Sequence, residues 1–215
     1  ESSTLDLNDG TLVLFASETL DVSLSSELNL TRILLVDTTG DIDSIRNDIY
    51  YHSLNHNAVS LVGASVAAEQ KTSITVKLTE DQRIMALVLS DTPGGDGSAL
   101  KIDIAAGAAH DIAQRDSDLV NDLAVTETAD TVTPVATSVT LDFNDGTIVI
   151  SASETIDVRP TGNLLLNKLT LVNHTGASGL DAVSLVGAGV QQQESTSITI
   201  TLTELQRVTA LALSG

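Results

Sequence analysis

An all-β fold, built as two tandem copies of one β-sandwich module with a short helix in each, is predicted by three observations. Residues 4-22, TLDLNDGTLVLFASETLDV, recur at 140-158 as TLDFNDGTIVISASETIDV, with fourteen of nineteen positions identical. Apolar and polar residues alternate with period two through most segments, as in strands with one packed and one wet face. Asn-Asp-Gly triplets stand at 8-10 and 144-146, where a tight turn needs residues that accept positive φ.

The repeat sets the domain organisation. Similarity resumes at AVSLVGASV (58-66) against AVSLVGAGV (182-190). It continues at TSITVKLTEDQRIMALVLS (72-90) against TSITITLTELQRVTALALS (196-214). The offset falls from 136 to 124, so the first copy carries twelve extra residues, placed in DIDSIRNDIYYHSLNHN (41-57) opposite ASGLD (177-181). A surface loop tolerates such an insert, because closing a longer loop costs little additional entropy. The expected domains are therefore 1-137, a complete module with the 41-57 insert, and 138-215, a second copy. Residues 91-137 have no counterpart after Ser214, so the second module is expected to lack its C-terminal strands, through truncation or through completion by another chain.

Within each copy the opening strand turns Leu5 and Leu7 inward around Asp6, as Leu141 and Phe143 do around Asp142. The next strand aligns Leu12, Leu14 and Ala16, mirrored by Ile148, Ile150 and Ala152. Further strands are predicted at 30-37, 58-66, 72-78 and 99-105, with a last one within 123-133. At 72-78, Ile74, Val76 and Leu78 face the core and Ser73, Thr75 and Lys77 face water; Ile198, Ile200 and Leu202 repeat this. Thr79 with Gln82, and Thr203 with Gln206, fit a capping box that starts a short helix. Ile84, Leu87 and Val88, or Val208, Leu211 and Ala212, are its expected buried stripe. About seven strands per complete module, with frequent turns, make an immunoglobulin-like pattern without its Cys and Trp hallmarks.

Apolar residues, 42% of the chain, supply real cores, but aromatics are only 2%, so Val, Leu, Ile and Ala must fill them. The formal net charge is -19, with 22 acidic and 7 basic side chains in 1-137 against 7 and 3 in 138-215. Such a surface repels nucleic acid, whose binding depends on cationic groups displacing counterions. Without cysteine there is neither a disulfide framework nor a thiolate metal site. Apolar runs fall far short of the roughly 18 residues a membrane helix needs, so membrane insertion is not expected. No basic segment followed by an apolar one opens the chain at Glu1-Ser2-Ser3, so a signal peptide would have to lie upstream.

DGTIVISASETIDV, then LTLVN, then STSITITLTELQRVTAL and, in the first copy, ALKIDIAAGAAHDIA, resemble the tandem immunoglobulin-like repeats of bacterial S-layer proteins, adhesins and secreted filamentous proteins. Ser17-Glu18-Thr19-Leu20-Asp21 and Ser153-Glu154-Thr155-Ile156-Asp157 match the phrase that opens such repeats. Asp111-Ile112-Ala113-Gln114 matches their closing phrase in part, with Gln114 and Arg115 in place of Gly-Asn. The resemblance implies an extracellular or cell-surface role as spacer, adhesive or lattice component, with copies of itself or neighbouring modules as partners. It bears on architecture more than on function, since folds host many functions.

Acidic clusters are the chemical candidates. Asp6 and Asp9, Asp142 and Asp145, Asp91 and Asp96, and the series Asp111, Asp116, Asp118 and Asp122 offer oxygen ligands to Ca2+; turn geometry and surface solvation are the plainer readings. No EF-hand pattern, G-x-S-x-G or phosphate-binding glycine loop occurs, and the aromatic platforms of a glycosidase are absent, so the chain is expected not to be an enzyme. The expected function is a structural or assembly component of a fibre, sheath or surface layer, joined by β-strand complementation. The alternative is an adhesin whose 41-57 loop binds a protein or glycan through Tyr50, Tyr51, His52 and His56.

Overall fold

The computed structural model describes residues 2-37, 58-174 and 181-214. They are mostly β-sheet, in two compact units, Glu1–Val132 and Thr133–Gly215. The boundary expected at 137/138 falls inside a strand that begins at Ala136, and the division lies upstream of it.

The first unit contains β1 (Ser2–Asp6), β2 (Thr11–Val22), β3 (Ile33–Val36), β4 (Ala58–Ser60), β5 (Ser65–Val66), β6 (Glu69–Lys77), α1 (Glu80–Val88), β7 (Lys101–Ile104) and β8 (Val120–Thr128). Its strands make one curled sheet of order β4-β3-β7-β8-β1-β2-β6-β5. All neighbours are antiparallel except β1 and β8, which run parallel with Ser3 opposite Val125 and Asp6 opposite Thr128. Curling folds the inward faces onto one core, in which Leu5, Leu7, Leu12, Ile33, Leu35, Leu61, Ile74, Val76, Leu100 and Ile102 are fully buried.

The second unit contains β9 (Ala136–Asp142), β10 (Thr147–Asp157), β11 (Thr170–Val172), β12 (Ala182–Ser184), β13 (Gly189–Val190), β14 (Glu194–Thr201) and α2 (Glu204–Leu213). Its sheets are ordered β13-β14-β10-β9 and β11-β12. These match β5-β6-β2-β1 and β3-β4 strand for strand. Among the described residues nothing matches β7 and β8.

Local chemistry explains the correspondence. Both Asn-Asp-Gly turns close on a glycine at positive φ, +74° at Gly10 and +76° at Gly146, conformations that cost an L side chain energy. The pairing of β2 with β6 slips between Phe15 and Leu20, and that of β10 with β14 between Ser151 and Ile156. The repeated Ala-Ser-Glu-Thr phrase is therefore a bulge, which bends the long strand and tightens the curl. The strand expected over 58-66 is interrupted: β4 and β5 are separate, and Gly63 at φ +95° turns the chain between them. The strand expected at 30-37 begins only at Ile33, after two short 3-10 turns at Ser25–Glu27 and Leu30–Arg32.

Both capping boxes form, with Thr79 Oγ1 accepting from Gln82 N and Gln82 Oε1 accepting from Thr79 N; Thr203 and Gln206 do the same. The buried face of each helix differs from expectation. Gln82, Arg83 and Ala86 are buried in α1, and Gln206 and Ala210 in α2, whereas Val88, Val208 and Leu211 are exposed. The reason is polar. Gln82 Nε2 donates to Ser60 O at 2.7 Å and Val62 O at 3.0 Å, and Gln206 Nε2 to Ser184 O and Val186 O at 2.9 and 3.0 Å. One glutamine thus accepts from the N-cap N-H and ties the helix to the β4 or β12 strand end. Gln82→Ala is expected to lower the stability of the first unit by about 1–3 kcal/mol, since it removes the side-chain partners of the Ser60 and Val62 carbonyls and of the Thr79 N-H. Denaturant titration of the variant, read as a shift in midpoint at constant slope, checks this.

Candidate functional site

The acidic residues singled out in the sequence are mostly engaged by their own neighbourhoods. In the first turn Asp6 Oδ1 accepts from Asn8 N and Nδ2 at 2.9 and 2.7 Å, while Asp9 accepts from Thr11 N and pairs with Lys77 at 2.8 Å. The Lys77 ammonium is the main cause holding the Asp9 carboxyl below the usual aspartate range. Asp142 and Asp145 repeat the arrangement with Asn144 and Thr147. Asp96 accepts from Ser98 N and lies against Asp37, whose carboxyl is pushed up by burial and by Asp96. Asp91 donates its backbone N-H to Glu127.

In the loop from β7 to β8 and at the start of β8 the acids scatter. Asp111, with its side chain nearly buried, accepts from Arg115 N at 2.8 Å and pairs with the Arg115 guanidinium at 2.6 Å. Asp116 lies 2.8 Å from His110 Nδ1. Asp122, at φ +56°, sits 3.9 Å from Lys101 and donates its backbone N-H to buried Asp103. Asp118 and Asp116 stand with Glu18 at the rim of a cavity of about 160 Å3 floored by Leu14, Leu28, Ile33 and Ile74. Among the described residues no three of His, Asp and Glu are gathered to hold a metal ion. Tyr50, Tyr51, His52 and His56 lie outside the described residues.

A different feature stands out when the copies are compared position by position. In the first unit β8 fills the space between β1 and β7. Ser3 Oγ donates to Ala124 O at 3.0 Å, Leu7 N donates to Thr128 O at 3.0 Å, and Leu100, Ile102 and Val125 enter the core. In the second unit β9 and β11 are sheet edges. Val139, the counterpart of buried Ser3, is 56% exposed, and Val172, the counterpart of fully buried Val36, is 46% exposed. Leu141, Phe143, Leu171, Val172, Ala210 and Leu213 line an open cavity of about 120 Å3. The counterparts of these six, Leu5, Leu7, Leu35, Val36, Ala86 and Leu89, are all buried in the first unit.

Arg83 secures the end of β8. It is 3% exposed, donates to Leu7 O at 2.8 Å, pairs with Glu80 on its own helix, and bridges Asp130 at 2.7 Å. Those carboxylates, Glu80 first, raise the guanidinium's already high pKa. Beside it Asn8 Oδ1 accepts from Thr131 N at 2.8 Å and Thr131 Oγ1 at 3.1 Å. Sequence reasoning placed Gln82 in a capping box and Asn8 in a turn but missed their longer-range contacts, and it missed Arg83 altogether; the recurrence of all three as Gln206, Asn144 and Arg207 was the available signal.

No family model, curated protein or solved structure matches the chain. Among the described residues no helix is long and apolar enough to cross a membrane.

Asp111 supplies a pH test. Its folded-state pKa is lowered, first by the Arg115 backbone N-H and then by the guanidinium. Its contribution is therefore complete above the usual value of 3.8 and is lost as pH falls through the lower folded value. The melting-temperature difference between the wild type and Asp111→Asn is expected to be constant from about pH 5 to 7 and to shrink below about pH 4.

Proposed function

We propose that this chain is a structural or assembly component of an extracellular fibre, sheath or surface layer, made of repeated immunoglobulin-like β-sandwich modules that join neighbours by strand complementation. The observation that carries the reading is the pair of open edges in the second unit, β9 and β11, framing an apolar cleft where the first unit holds β7 and β8. Unpaired strand edges bordered by apolar side chains recruit further strands, because each added strand satisfies backbone groups and buries aliphatic surface together.

Three further features support it. The duplicated modules share turn, bulge and helix lock, so each carries its own core. Several of the candidate carboxylates are engaged by their own neighbourhoods, in the Asx turns and the Arg115-Asp111 pair. The absence of cysteine and the net charge of -19 suit a densely displayed protein kept soluble by its acidity.

Sedimentation velocity over a wide concentration range tests the reading. The wild-type chain is expected to gain mass with concentration. Val139→Lys, which places a charge on an exposed edge position, is expected to hold it monomeric without loss of the folded signal. A wild-type chain that stays monomeric throughout rules the reading out.

A further inference from the structure

The geometry points to a specific occupant for the open cleft: a β-hairpin with the pattern of residues 99-132, recognised by Arg207 and Asn144 through an Asp-Thr pair just beyond its second strand. This rests on the assembly reading above and adds the chemistry of the partner.

Among the described residues of the second unit, two polar groups stand without the partners that their counterparts have in the first. Arg207 repeats Arg83 in donating to the carbonyl of residue 143 at 2.8 Å and pairing with its own helix through Glu204 at 2.7 Å. Arg83 also bonds Asp130 through Nη1; among the described residues Arg207 has no such acidic partner beyond its own helix, and its side chain is more exposed than that of Arg83. Asn144 repeats Asn8 in donating Nδ2 to the preceding aspartate at 2.8 Å. Asn8 Oδ1 accepts twice from Thr131, and among the described residues no counterpart of those bonds is made to Asn144. A donor and an acceptor are thus preset at one end of the cleft for a carboxylate followed by a threonine.

The apolar half of the code comes from the same comparison. Leu100, Ile102 and Val125 fill the core next to Leu5, Leu7 and Leu35. The facing positions in the second unit, Leu141, Phe143 and Leu171, are apolar and only partly covered. The occupant must bring two strands, since one strand bonded to β9 still leaves open the edge of β11 that faces away from β12. In the first unit β8 pairs with β1 and β7 pairs with β3. Its second strand runs parallel to β9, as β8 runs to β1, because only that direction carries the Asp-Thr pair to Arg207. Antiparallel pairing of two β9 edges from two copies brings no acid to Arg207, which favours a donated hairpin over simple edge-to-edge dimerisation.

The test uses the full 215-residue chain and a synthetic peptide of residues 99-132. The peptide is expected to bind, to raise the melting temperature of the second unit, and to suppress concentration-dependent self-association. Replacing Asp130 by Asn in the peptide, which leaves the chain untouched, is expected to weaken binding about tenfold or more, as is Arg207→Met in the chain. The two changes together are expected to cost little more than either alone, the mark of a direct pair. No binding, or binding indifferent to both changes, overturns the proposal. A second chain carries residues 91-132 appended after Ser214. If this graft stabilises the second unit while the free peptide does not bind, donation by another chain is overturned. Self-association that the peptide leaves unaffected sinks the hairpin but not assembly, whereas peptide binding by a strictly monomeric chain sinks assembly but not the hairpin.

Discussion

Strand β8 holds the first unit together, because it is hydrogen-bonded along both edges, antiparallel to β7 and parallel to β1. Without it the sheet falls into two pieces, β4-β3-β7 and β1-β2-β6-β5. The parallel pairing joins the start of the unit to its end, with Ser3 bonded to Ala124 across 121 positions. Such a contact is late and entropically costly to form. It is offset by the aliphatic burial of Leu100, Ile102 and Val125 and by the Arg83-Asp130 bridge, which has most of its area removed from water. A bridge so placed is expensive to break from one side, since an uncompensated buried charge remains.

Much of the local structure was legible because it depends on neighbours in sequence. The Asn-Asp-Gly turns, the inward register of Ile74, Val76 and Leu78, and the Thr79-Gln82 box all formed as the alternation and spacing indicated. The helix face was misread because hydropathy ranks Val88 above Gln82, whereas the helix packs by its amide and by small Ala86. The break at Gly63 was invisible within an apolar run, where periodicity cannot register a turn. Non-local pairing was out of reach altogether: nothing in residues 120-128 says that they lie parallel to β1. Of the candidate ligands, the sequence revealed acid density but not that Arg115, Lys77 and backbone N-H groups already occupy several of those carboxylates.

The two copies show how one local code gives two different surfaces. Leu141 and Leu171 occupy the places of Leu5 and Leu35 and point the same way, yet they remain partly exposed, because burial there is a property of β7 and β8 and not of the strands that face them. Side-chain direction is set within a few residues, by pleat, turn and bulge. Closure of the core is set by a segment some hundred positions away.

Free-standing sheets guard their edges with lysine, proline, bulges or a covering loop. The sequence of β9, Ala136-Thr137-Ser138-Val139-Thr140-Leu141-Asp142, has neither lysine nor proline, and its pairing with β10 is regular from Asp142 to Ser138. It reads as the interior strand that β1 is, with a valine where β1 places the serine that meets β8. The partners of that interior setting persist as well: Arg207 is held in position by Glu204 and the carbonyl of Phe143, aimed as Arg83 is aimed. An edge adapted to water would have no use for a guanidinium fixed at the far end of an apolar cleft. An edge that receives a strand ending in a carboxylate does.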